Sequence, residues 1–453
     1  MRRLYYMIIV IGFCGLIGNP ANAQFIDTTW TNIYWNGYFD SVNCIQETRD
    51  SGFIMVGTTM DNVDYQHDIN IIKTDRNGDV EWTKLIGTDS TDETGYHILE
   101  TLDGGYLIGA WSDAFRDGPG EYGIWMVKTD SLGDTMWTHP LTEIDGNGWP
   151  LWAIQTFDSG YAITGIINVD YDNHAFIMKL DKSGGYEGTT RYGGYSLQDG
   201  WFIHQMPDSG FIVAGNHNDP YSSGYDFWVF RTNKSRTMLW DSLYILTDYH
   251  DEMHAACVVE DGLVMAGKAR GAGHVHKVDF DGNTIWSKSI ALNPPDERNN
   301  SICTTDDGGF MVGGWVNVPG YRRKHNFIRL DSLGDALWTY NVGGTQDDHG
   351  RSVVATYDGG FALVGTSSSF VNGSSIYLTK IMRLSCGDAN GDGSVNIGDV
   401  VYLINFIFND GPSPEPLCVG DVNGDGAVNI GDPVYIINYI FRSGPPPIEP
   451  SCP

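Results

Sequence analysis

The chain alternates short apolar runs with polar turns rich in Asp, Ser and Gly, and this pattern repeats along most of its length. Each apolar run, such as residues 211–215, directly follows a turn that usually reads Asp-(Ser/Gly)-Gly-(Phe/Tyr). A run with so little polar alternation predicts a β-strand that is covered on both faces. The turn occurs seven times at nearly even spacing, and its copies begin at Asp50, Asp103, Asp158, Asp208, Glu260, Asp307 and Asp358.

A second turn follows each apolar run after a further strand-like segment. It reads Asp-x-x-Gly-Asp-x-x-Trp at residues 75–82, 130–137 and 331–338, with variants at 233–240 and 279–286. In such a turn the Asp side chain accepts a hydrogen bond from its own backbone and the Gly adopts positive φ, so the pattern predicts a hairpin at these residues. Each period therefore holds four strands: A before the first turn, B after it, C ending in Lys-x-Asp, and D carrying the Trp. We interpret this Trp as a packing residue between neighbouring repeats; in the third copy Gly188 stands in its place.

The two ends of the array predict how it closes. The seventh copy stops after strand C, whereas the N-terminal part of the chain carries an isolated strand D around Trp30. Trp30 stands as far before Asp50 as Trp338 stands before Asp358. Four-stranded repeats of this length are typical propeller blades, and closing the ring removes the exposed sheet edges. The sequence predicts an all-β, seven-bladed β-propeller over residues 24–385, closed by the N-terminal strand.

These repeats resemble several known propeller families. The Gly-Gly turn together with the strand D Trp is similar to Kelch repeats, and the Asp-x-x-Gly-x-x-x-Trp hairpin is similar to the tryptophan-docking repeat of quinoprotein-type propellers. The blades most resemble those of secreted bacterial propeller-repeat proteins. The resemblance implies a fold only, because no quinone site or catalytic motif comes with it. The Asp box of sialidases, Ser-x-Asp-x-Gly-x-x-Trp, is not matched.

Residues 386–453 differ sharply in composition and contain two similar segments, 388–399 and 421–432. Each carries oxygen donors at loop positions 1, 3, 5, 9 and 12, Gly at position 6 and a backbone carbonyl at position 7. This is the Ca²⁺ loop of an EF-hand with Asp in place of Glu at position 12, and hard oxygen ligands favour Ca²⁺. A helix is expected after each loop, at 400–408 and 433–441. The predicted ligands of two Ca²⁺ ions are Asp388, Asn390, Asp392, Ser394, Asn396 and Asp399 in loop 1, and Asp421, Asn423, Asp425, Ala427, Asn429 and Asp432 in loop 2.

A tandem loop–helix pair of this spacing resembles a type I dockerin. The resemblance implies calcium-dependent folding of residues 386–453 and docking to a cohesin-type partner through the helix faces. In many cohesin-binding dockerins, loop positions 10 and 11 are polar recognition residues, whereas here they are Ile-Gly at 397–398 and at 430–431. This departure leaves cohesin specificity open, and the propeller itself is an alternative docking partner.

Charge and the N-terminus bear on location. The formal charge of −30, with only 27 Lys and Arg, excludes nucleic acid as a natural partner, since a phosphate backbone needs a basic footprint. Arg2-Arg3, the apolar run 5–17 and Ala21-Asn22-Ala23 predict a signal peptide over residues 1–23, cleaved before Gln24. The apolar run is too short to span a bilayer and no later segment could do so. We therefore expect a secreted, extracellular protein without a membrane span.

Six cysteines follow the signal peptide, and none forms a Cys-x-x-Cys pair, so a zinc ribbon or redox motif is not supported. Three of them are interpreted as buried thiols at equivalent places in the repeat: Cys44, Cys257 and Cys303. The other three frame the C-terminal module, where export makes one disulfide plausible but its pairing stays open: Cys386, Cys418 and Cys452.

In propellers the D–A and B–C loops surround one mouth of the central channel, which usually holds the functional site. Acidic residues recur just before strand A, either as turn caps or as an anionic rim for a cation or a hydroxyl-rich ligand: Asp40, Glu93, Asp199, Asp251, Glu297 and Asp348. Histidines lie nearby and would bind a metal only if they converge: His97, His204, His254 and His349. Aromatic and polar residues of the B–C loops suit sugars but are also ordinary loop residues: Asp61, Tyr65, Trp111 and Tyr171.

Three functions remain open from sequence. The first is an exported propeller that binds an extracellular glycan or protein and is attached to an assembly by its dockerin. The second is a polysaccharide-degrading hydrolase or lyase, which would need two carboxylates at a separation of roughly 5–9.5 Å. The third is a structural cell-surface protein. No motif marks a catalytic pair, so no catalytic residue is assigned and the sequence leans against an enzyme.

Overall fold

The computed structural model describes residues 26–60, 65–88, 91–115, 122–142, 146–169, 172–194, 197–218, 224–290, 297–318, 322–383, 386–391, 394–414 and 417–448. The predicted signal peptide and its cleavage site, and also Asp61, Tyr171, Asp392 and Cys452, lie outside these residues. The contacts divide the chain into two compact units, of which the larger contains most of the strands and the smaller contains residues from Lys380 onward. No helix among the described residues is long and apolar enough to cross a membrane.

The strands form seven antiparallel four-stranded sheets, each one a blade. The first strand along the chain is β1 (Ile26–Tyr34). Blade 1 contains β2 (Phe39–Glu47), β3 (Phe53–Met60), β4 (His67–Thr74) and β5 (Val80–Ile86). Blade 2 contains β6 (Glu93–Glu100), β7 (Tyr106–Ser112), β8 (Gly123–Thr129) and β9 (Thr135–Pro140). Blade 3 contains β10 (Asn147–Gln155), β11 (Tyr161–Val169), β12 (Asp172–Leu180) and β13 (Tyr186–Tyr192).

Blades 4 to 6 repeat this order. Blade 4 contains β14 (Gln198–Gln205), β15 (Phe211–Asn218), β16 (Tyr225–Thr232) and β17 (Met238–Tyr244). Blade 5 contains β18 (Asp251–Val259), β19 (Gly262–Ala269), β20 (Ala272–Val278) and β21 (Thr284–Ser289). Blade 6 contains β22 (Glu297–Thr304), β23 (Phe310–Asn317), β24 (Arg323–Leu330) and β25 (Ala336–Val342).

The last blade closes the ring. It contains β26 (Asp348–Ala355), β27 (Phe361–Ser367) and β28 (Ser375–Arg383), and β1 pairs with β28 as its outer strand. The seven-bladed propeller and its closure by the N-terminal strand are thus confirmed. Strands B and C supply most of the core: β3, β7 and β8 are almost entirely buried, as their unbroken apolar runs predicted.

The Trp of strand D in one blade covers the C–D turn of the next. A Cβ atom placed on Gly133, which has a φ of +78°, would lie 2.7 Å from Cζ3 of Trp82. Only Gly combines this φ with so close an aromatic ring. The interpretation of the Trp as packing between blades is confirmed by five such contacts: Trp30 on Gly78, Trp82 on Gly133, Trp137 on Gly184, Trp240 on Gly282 and Trp286 on Gly334.

The third blade shows what replaces the missing Trp. Gly188 occupies the Trp position in β13, and the matching turn in blade 4 carries Arg236 at a φ of 64° where the other turns have Gly. The Nη2 atom of Arg236 lies 3.1 Å from the place where a Cβ on Gly188 would stand. The hydroxyl of Tyr192 also donates to the Arg236 carbonyl at 2.6 Å. A side chain from the neighbouring turn thus partly fills the space left by the absent indole.

The A–B turn and strand C are joined by a buried cation. The Nζ of Lys128 lies 3.0 Å from Oδ1 of Asp103, with the Lys side chain 2 % exposed and the Asp side chain 55 % exposed. The second turn glycine is required here because a Cβ on Gly105 would lie 2.1 Å from the Thr129 carbonyl oxygen. The pair recurs in all seven blades: Lys73–Asp50, Lys128–Asp103, Lys179–Asp158, Arg231–Asp208, Lys277–Asp261, Arg329–Asp307 and Lys380–Asp358.

The C-terminal residues form two helices, α1 (Ile397–Phe408) and α2 (Gly431–Arg442), both of which begin slightly earlier than the sequence predicted. A 3₁₀ turn (Leu417–Gly420) precedes the second loop. The small core of this module, which also takes in side chains from both loops, contains Ala389, Val400, Leu403, Val422 and Ile436.

The cysteines only partly match their interpretation. Cys44, Cys257, Cys303 and Cys386 are free, and Cys418 is disulfide-bonded to a residue outside the described part of the chain. Cys44 was wrongly placed with the others, because it directly follows the β-bulge of β2, whereas Cys257 and Cys303 lie two positions further from the bulges of their own strands.

Candidate functional site

The acidic residues at the start of strand A are buried. Asp40, Glu93, Asp251 and Asp348 have no exposed surface. Each accepts hydrogen bonds from the D–A loop before it; the Asp251 carboxylate, for example, accepts from the backbone N–H groups of residues 246 and 247 at 3.0 and 2.7 Å. Burial raises the pKa of Asp40, Glu93 and Asp348, although these hydrogen bonds partly offset it. These carboxylates therefore cap loops and do not form an open anionic rim; the side chain of Glu297 lies outside the described residues.

Every strand A reaches the central channel through one residue. In six blades the pairing of strands A and B shifts by one residue at a β-bulge, which turns the extra side chain inward. In blade 7, Arg351 has the same position in its strand. All seven residues line one cavity of about 150 Å³: Asn43, Tyr96, Leu151, Trp201, His254, Asn300 and Arg351.

The bulge also corrects the register of one predicted site residue. In blades 1, 2, 5 and 7, the residue three positions before the inward-facing residue is acidic: Asp40, Glu93, Asp251 and Asp348. In blade 4 the residue at this position is Gln198. Asp199 lies one position later, at the place that Glu252 and Arg298 occupy in the next two blades. The chain thus brings a second set of polar residues to the upper wall of the channel, one that the spacing of acidic residues did not reveal.

A charged network links blades 5 and 6 on this wall. The Nε2 of His254 lies 3.3 Å from Oε2 of Glu252 and 3.0 Å from Nη2 of Arg298, and its Nδ1 lies 3.1 Å from the Asn299 carbonyl oxygen. Lys268 pairs with Glu252 at 3.0 Å. Burial lowers the pKa of His254, although its hydrogen bond with Glu252 partly offsets this effect.

On the opposite side, Tyr96 of blade 2 and Arg351 of blade 7 line the same cavity as Arg298. Desolvation raises the pKa of Tyr96, which a hydrogen bond with the Trp111 side chain and the charge of Arg351 counteract. The pKa of Arg351 is itself lowered by desolvation and by the positive charge of Arg298. The cavity wall thus carries two cations and a phenol hydroxyl.

Three aromatic rings cluster at the B–C loop end of blades 2 and 3, where Trp111 hydrogen-bonds with the cavity-lining Tyr96. The rings of Trp111 and Tyr122 lie 4.7 Å apart, those of Tyr122 and Trp149 lie 5.9 Å apart, and all three side chains are half-buried. Of the two predicted aromatic candidates that the structure describes, Trp111 belongs to this cluster and Tyr65 does not. Tyr65 is 64 % exposed and stands alone at a φ of 60°.

The histidines do not form a metal site. His97 is fully buried, with its ring 4.5 Å from that of Trp152, and His349 packs against Trp315 at 5.5 Å. Nowhere in the described ranges do three His, Cys, Asp or Glu side chains stand together in metal-binding geometry.

The two calcium loops have the same internal hydrogen bonds. In loop 2, the Asn429 amide nitrogen lies 3.1 Å from both the Ala427 carbonyl oxygen and Oδ2 of Asp425. Loop 1 repeats the first contact, from Asn396 to the Ser394 carbonyl oxygen at 3.1 Å. The predicted ligand oxygens at positions 5 and 7 of loop 2 therefore already converge, and positions 7 and 9 meet in loop 1.

The Asp at position 12 of each loop lies in the first turn of the following helix and accepts hydrogen bonds from the loop backbone. The Asp432 carboxylate accepts backbone N–H bonds from Val422 (2.8 Å), Asn423 (3.2 Å) and Asn429 (2.7 Å), and Asp399 accepts from Asn390 and Asn396 at 3.1 and 2.8 Å. The donor set contains oxygen atoms only, and the glycines at positions 4 and 6 of loop 2 have φ values of +70° and +88°. These loops fit a hard cation such as Ca²⁺.

An apolar stripe lies along the outside of each helix. On α1 it contains Ile397, Val401, Ile404 and Phe408, each 36 % exposed or more. The equivalent positions of the second loop–helix repeat are Ile430, Val434, Ile437 and Phe441, of which all but Ile437 are equally exposed. The spacing of four, three and four positions places each stripe on one helix face.

Comparisons with known proteins separate the two parts of the chain. No curated protein matches it. Solved structures with a similar fold include a protein of unknown function from Dyadobacter fermentans (10 % identity, TM-score 0.46, covering 79 % of this chain and 99 % of that one). The Pan2 WD40 domain of Neurospora crassa is similar at 11 % identity and a TM-score of 0.44, covering 71 % of this chain and 87 % of that one. These similarities are too weak to add to a fold that rests on the chain's own seven sheets.

The C-terminal module has a clear relative. Residues 386–441 match the family described as the dockerin type I domain. Type I dockerin domains bind calcium and imply assembly through a cohesin partner, and dockerin domains occur in extracellular cellulosome proteins. The match spans both calcium loops and nearly all of both helices. The chain therefore carries a type I dockerin domain after a seven-bladed β-propeller.

Proposed function

We propose that the propeller binds a glycan at the mouth of its channel and that the dockerin attaches it to an extracellular assembly. The observation that carries this proposal is the cluster of Trp111, Tyr122 and Trp149, three neighbouring and half-buried rings that a hydrogen bond from Trp111 joins to the cavity-lining Tyr96. Ligand sites combine such rings with a few polar groups that fix orientation. The Asn43 and Asn300 amide nitrogens are taken by carbonyls of the next blade, at 2.8 and 2.6 Å, which leaves their oxygens to accept sugar hydroxyls.

The proposal is tested by titrating the full-length chain with a panel of plant and bacterial oligosaccharides. We expect Trp111→Ala to weaken binding at least tenfold, about 1.4 kcal/mol, and the matched variant Tyr65→Ala, an exposed B–C loop ring outside the cluster, to leave it unchanged. An equal loss in both variants, or no binding of any glycan, would refute the site.

In the dockerin we propose two calcium ions, one in each loop. Loop 1 would use Asp388, Asn390, Asp392, Ser394, Asn396 and Asp399, and loop 2 would use Asp421, Asn423, Asp425, Ala427, Asn429 and Asp432. We also propose that the N-terminal segment 1–23 directs export, which agrees with the presence of a dockerin. Isothermal titration of the calcium-stripped chain measures the number of sites, and a stoichiometry of one would contradict the proposal.

The repeated apolar stripes are the proposed cohesin-docking surface. Because the stripe recurs with the same spacing on α1 and α2, either helix can present it. Val401→Asp and Val434→Asp should together abolish binding to a cognate partner from a panel of purified type I cohesins, whereas each single change leaves the other stripe intact. Unchanged binding by the double variant would show that another surface docks.

A second candidate function is glycoside hydrolysis, favoured by one pair of carboxylates. Desolvation raises the pKa of Asp199 to about 7, and hydrogen bonding with His254, followed by Lys268, lowers the pKa of Glu252 to about 2. A carboxylic acid of raised pKa and an ionised carboxylate are the two groups that glycosidases use, and the charge of Glu252 is one of the factors that raise the pKa of Asp199. Release of reducing sugar by the wild type, lost in Asp199→Asn and in Glu252→Gln, would support this function; absence of turnover on every glycan that binds would exclude it.

A further inference from the structure

Arg351 is a solvent-exposed residue of the channel wall. Its guanidinium belongs to the inward ring of bulge residues, and among the described residues it makes no hydrogen bond and no ion pair. The charged or titratable groups that act on it include another cation, Arg298, the Tyr96 hydroxyl and the His349 ring. An arginine placed beside a second arginine without a counter-charge is electrostatically unfavourable, and the fold retains it without a structural contact to explain it.

Arg298 lies in the neighbouring blade 6, and part of its guanidinium makes no hydrogen bond with any described residue. Its Nε and Nη2 approach His254 at 3.2 and 3.0 Å, and Nη2 also lies 3.4 Å from Glu252. Its Nη1 makes no hydrogen bond with any described residue, and 37 % of the side chain is exposed. Glu252 cannot neutralise both arginines, because Lys268 pairs with it more closely, at 3.0 Å.

We propose that Arg298 and Arg351 bind a carboxylate of the ligand, so that the glycan recognised in the channel is an acidic one built from uronic acids. This inference rests on the proposed glycan-binding function and names its ligand class. A guanidinium presents a planar fork of N–H donors that matches a carboxylate, and such charge-assisted hydrogen bonds are the strongest a polar site offers. The Tyr96 hydroxyl supplies a further donor on the blade 2 side.

The position of the arginines relative to the rings agrees with a sugar acid. Trp111 hydrogen-bonds with Tyr96, and the charge of Arg351 acts on Tyr96 in turn. A hydrogen bond thus links the aromatic cluster to Tyr96, which lines the same cavity as both arginines. A uronate residue needs both features, a ring surface for its apolar face and a cation for its carboxylate, within the span of one or two sugars.

The overall charge of −30 does not oppose such a ligand at short range. Charges more than about 8 Å away are largely screened at physiological ionic strength, and the buried carboxylates at the start of strand A are occupied by loop N–H groups. Near the cavity, the positive charges of Arg298, Arg351 and Lys268 outnumber the negative charges of Glu252 and of Asp199, whose pKa is raised to about 7.

The test is isothermal titration of the full-length chain with oligogalacturonate, with its fully methyl-esterified form, and with a sulfated oligosaccharide as a second source of oxyanions. We expect oligogalacturonate to bind at least tenfold more tightly than the ester, which keeps the sugar rings and loses the charge. Arg351→Gln should weaken oligogalacturonate binding by about 10- to 100-fold while leaving the ester unaffected. Arg270→Gln, an exposed arginine stacked on Tyr249, is the matched control.

The outcomes separate the two proposals. Equal binding of acid and ester, unchanged by Arg351→Gln, would overturn the acidic ligand and leave the glycan site standing. Tighter binding of the sulfated glycan than of oligogalacturonate would overturn the carboxylate assignment. Failure of every glycan to bind would overturn the proposed function itself. Because Arg351 makes no hydrogen bond or ion pair with any described residue, its variant should unfold at the wild-type temperature, and a lower temperature would show a structural role.

Discussion

Gly78 of blade 1 lies directly beneath the indole of Trp30, with 2.7 Å between a Cβ placed on Gly78 and Cζ3 of the ring. Trp30 comes from β1, the N-terminal strand that completes blade 7, so this contact joins the closing strand to the first blade. It is the same contact that Trp82 makes with Gly133 between blades 1 and 2. The ring therefore closes with the packing that holds its other blades together.

Loss of the closing contact should destabilise the whole propeller. Trp30→Ala removes an indole that packs on Phe53 at 5.9 Å as well as on Gly78, and we expect it to lower the free energy of unfolding by about 3 kcal/mol. Urea denaturation followed by tryptophan fluorescence measures this. Trp111→Ala, at the channel mouth, should change stability by much less; a loss of similar size in both would contradict the special role of closure.

The buried cation of each blade should depend on its turn aspartate. Asp103→Ala leaves Lys128 uncompensated where its side chain is 2 % exposed, and we expect a loss of about 1–3 kcal/mol, less than for a fully buried pair because the carboxylate is half exposed. Thermal unfolding measures the change. Asp134→Ala, which removes an exposed partner of Lys84, is the control and should cost little.

Acid should weaken the same pairs. Desolvation opposes ionisation of Asp103, but hydrogen bonds from Thr101, Gly105 and Lys128 outweigh it and hold the pKa of the carboxyl below its usual range. Since the folded pKa is lower than the unfolded value of about 3.9, the stabilisation is complete above that pH and is lost as pH falls through the folded pKa. Asp103→Asn should flatten the decline of stability below about pH 4; an unchanged decline would count against the pair.

Asp199 should have the opposite pH dependence. Its pKa is raised to about 7, first by desolvation, so the folded state holds a proton that the unfolded state releases near pH 4. Stability therefore falls as pH rises from about 4 to 7. Asp199→Asn should remove this slope and be more stable than the wild type at pH 8, as measured by chemical denaturation. An identical slope in both proteins would show that Asp199 ionises normally.

Calcium removal should affect only the dockerin. Chelation leaves the carboxylates of loop 2, Asp421, Asp425 and Asp432, close together without a cation, and like charges repel. We expect loss of α-helical circular dichroism on adding a chelator, restored by Ca²⁺, while the β-sheet signal persists. Asp421→Ala should halve the calcium stoichiometry. Full helicity in excess chelator would contradict calcium-dependent folding.

The fold was predictable from the sequence because the blades repeat the same turn motifs. Closure followed from counting, since Trp30 is spaced from Asp50 as Trp338 is from Asp358. The Lys-x-Asp ending of strand C was visible as a pattern, but its cause was not: Lys128 reaches the turn aspartate of its own blade only when strands B and C pair in register.

The channel was harder to predict because a bulge controls it. Alternation assigns side chains to faces only while the register holds, and each bulge reverses that assignment, as at Tyr96 and Trp201. The inward residues carried one usable signal: in five of the seven blades they lie three positions after the start of strand A. Four of the acids chosen for their charge are loop caps: Asp40, Glu93, Asp251 and Asp348.

The central claim is that the glycan binds at the channel mouth, and photo-crosslinking tests it most directly. Oligogalacturonate carrying a diazirine at its reducing end would be bound to the full-length chain, irradiated, and the modified peptides identified by mass spectrometry. The account predicts labels on strands A and B of blades 2 and 3 and on strand A of blades 6 and 7, suppressed by excess unlabelled ligand. Labels confined to the A–B turns on the opposite face, or to the dockerin, would contradict it.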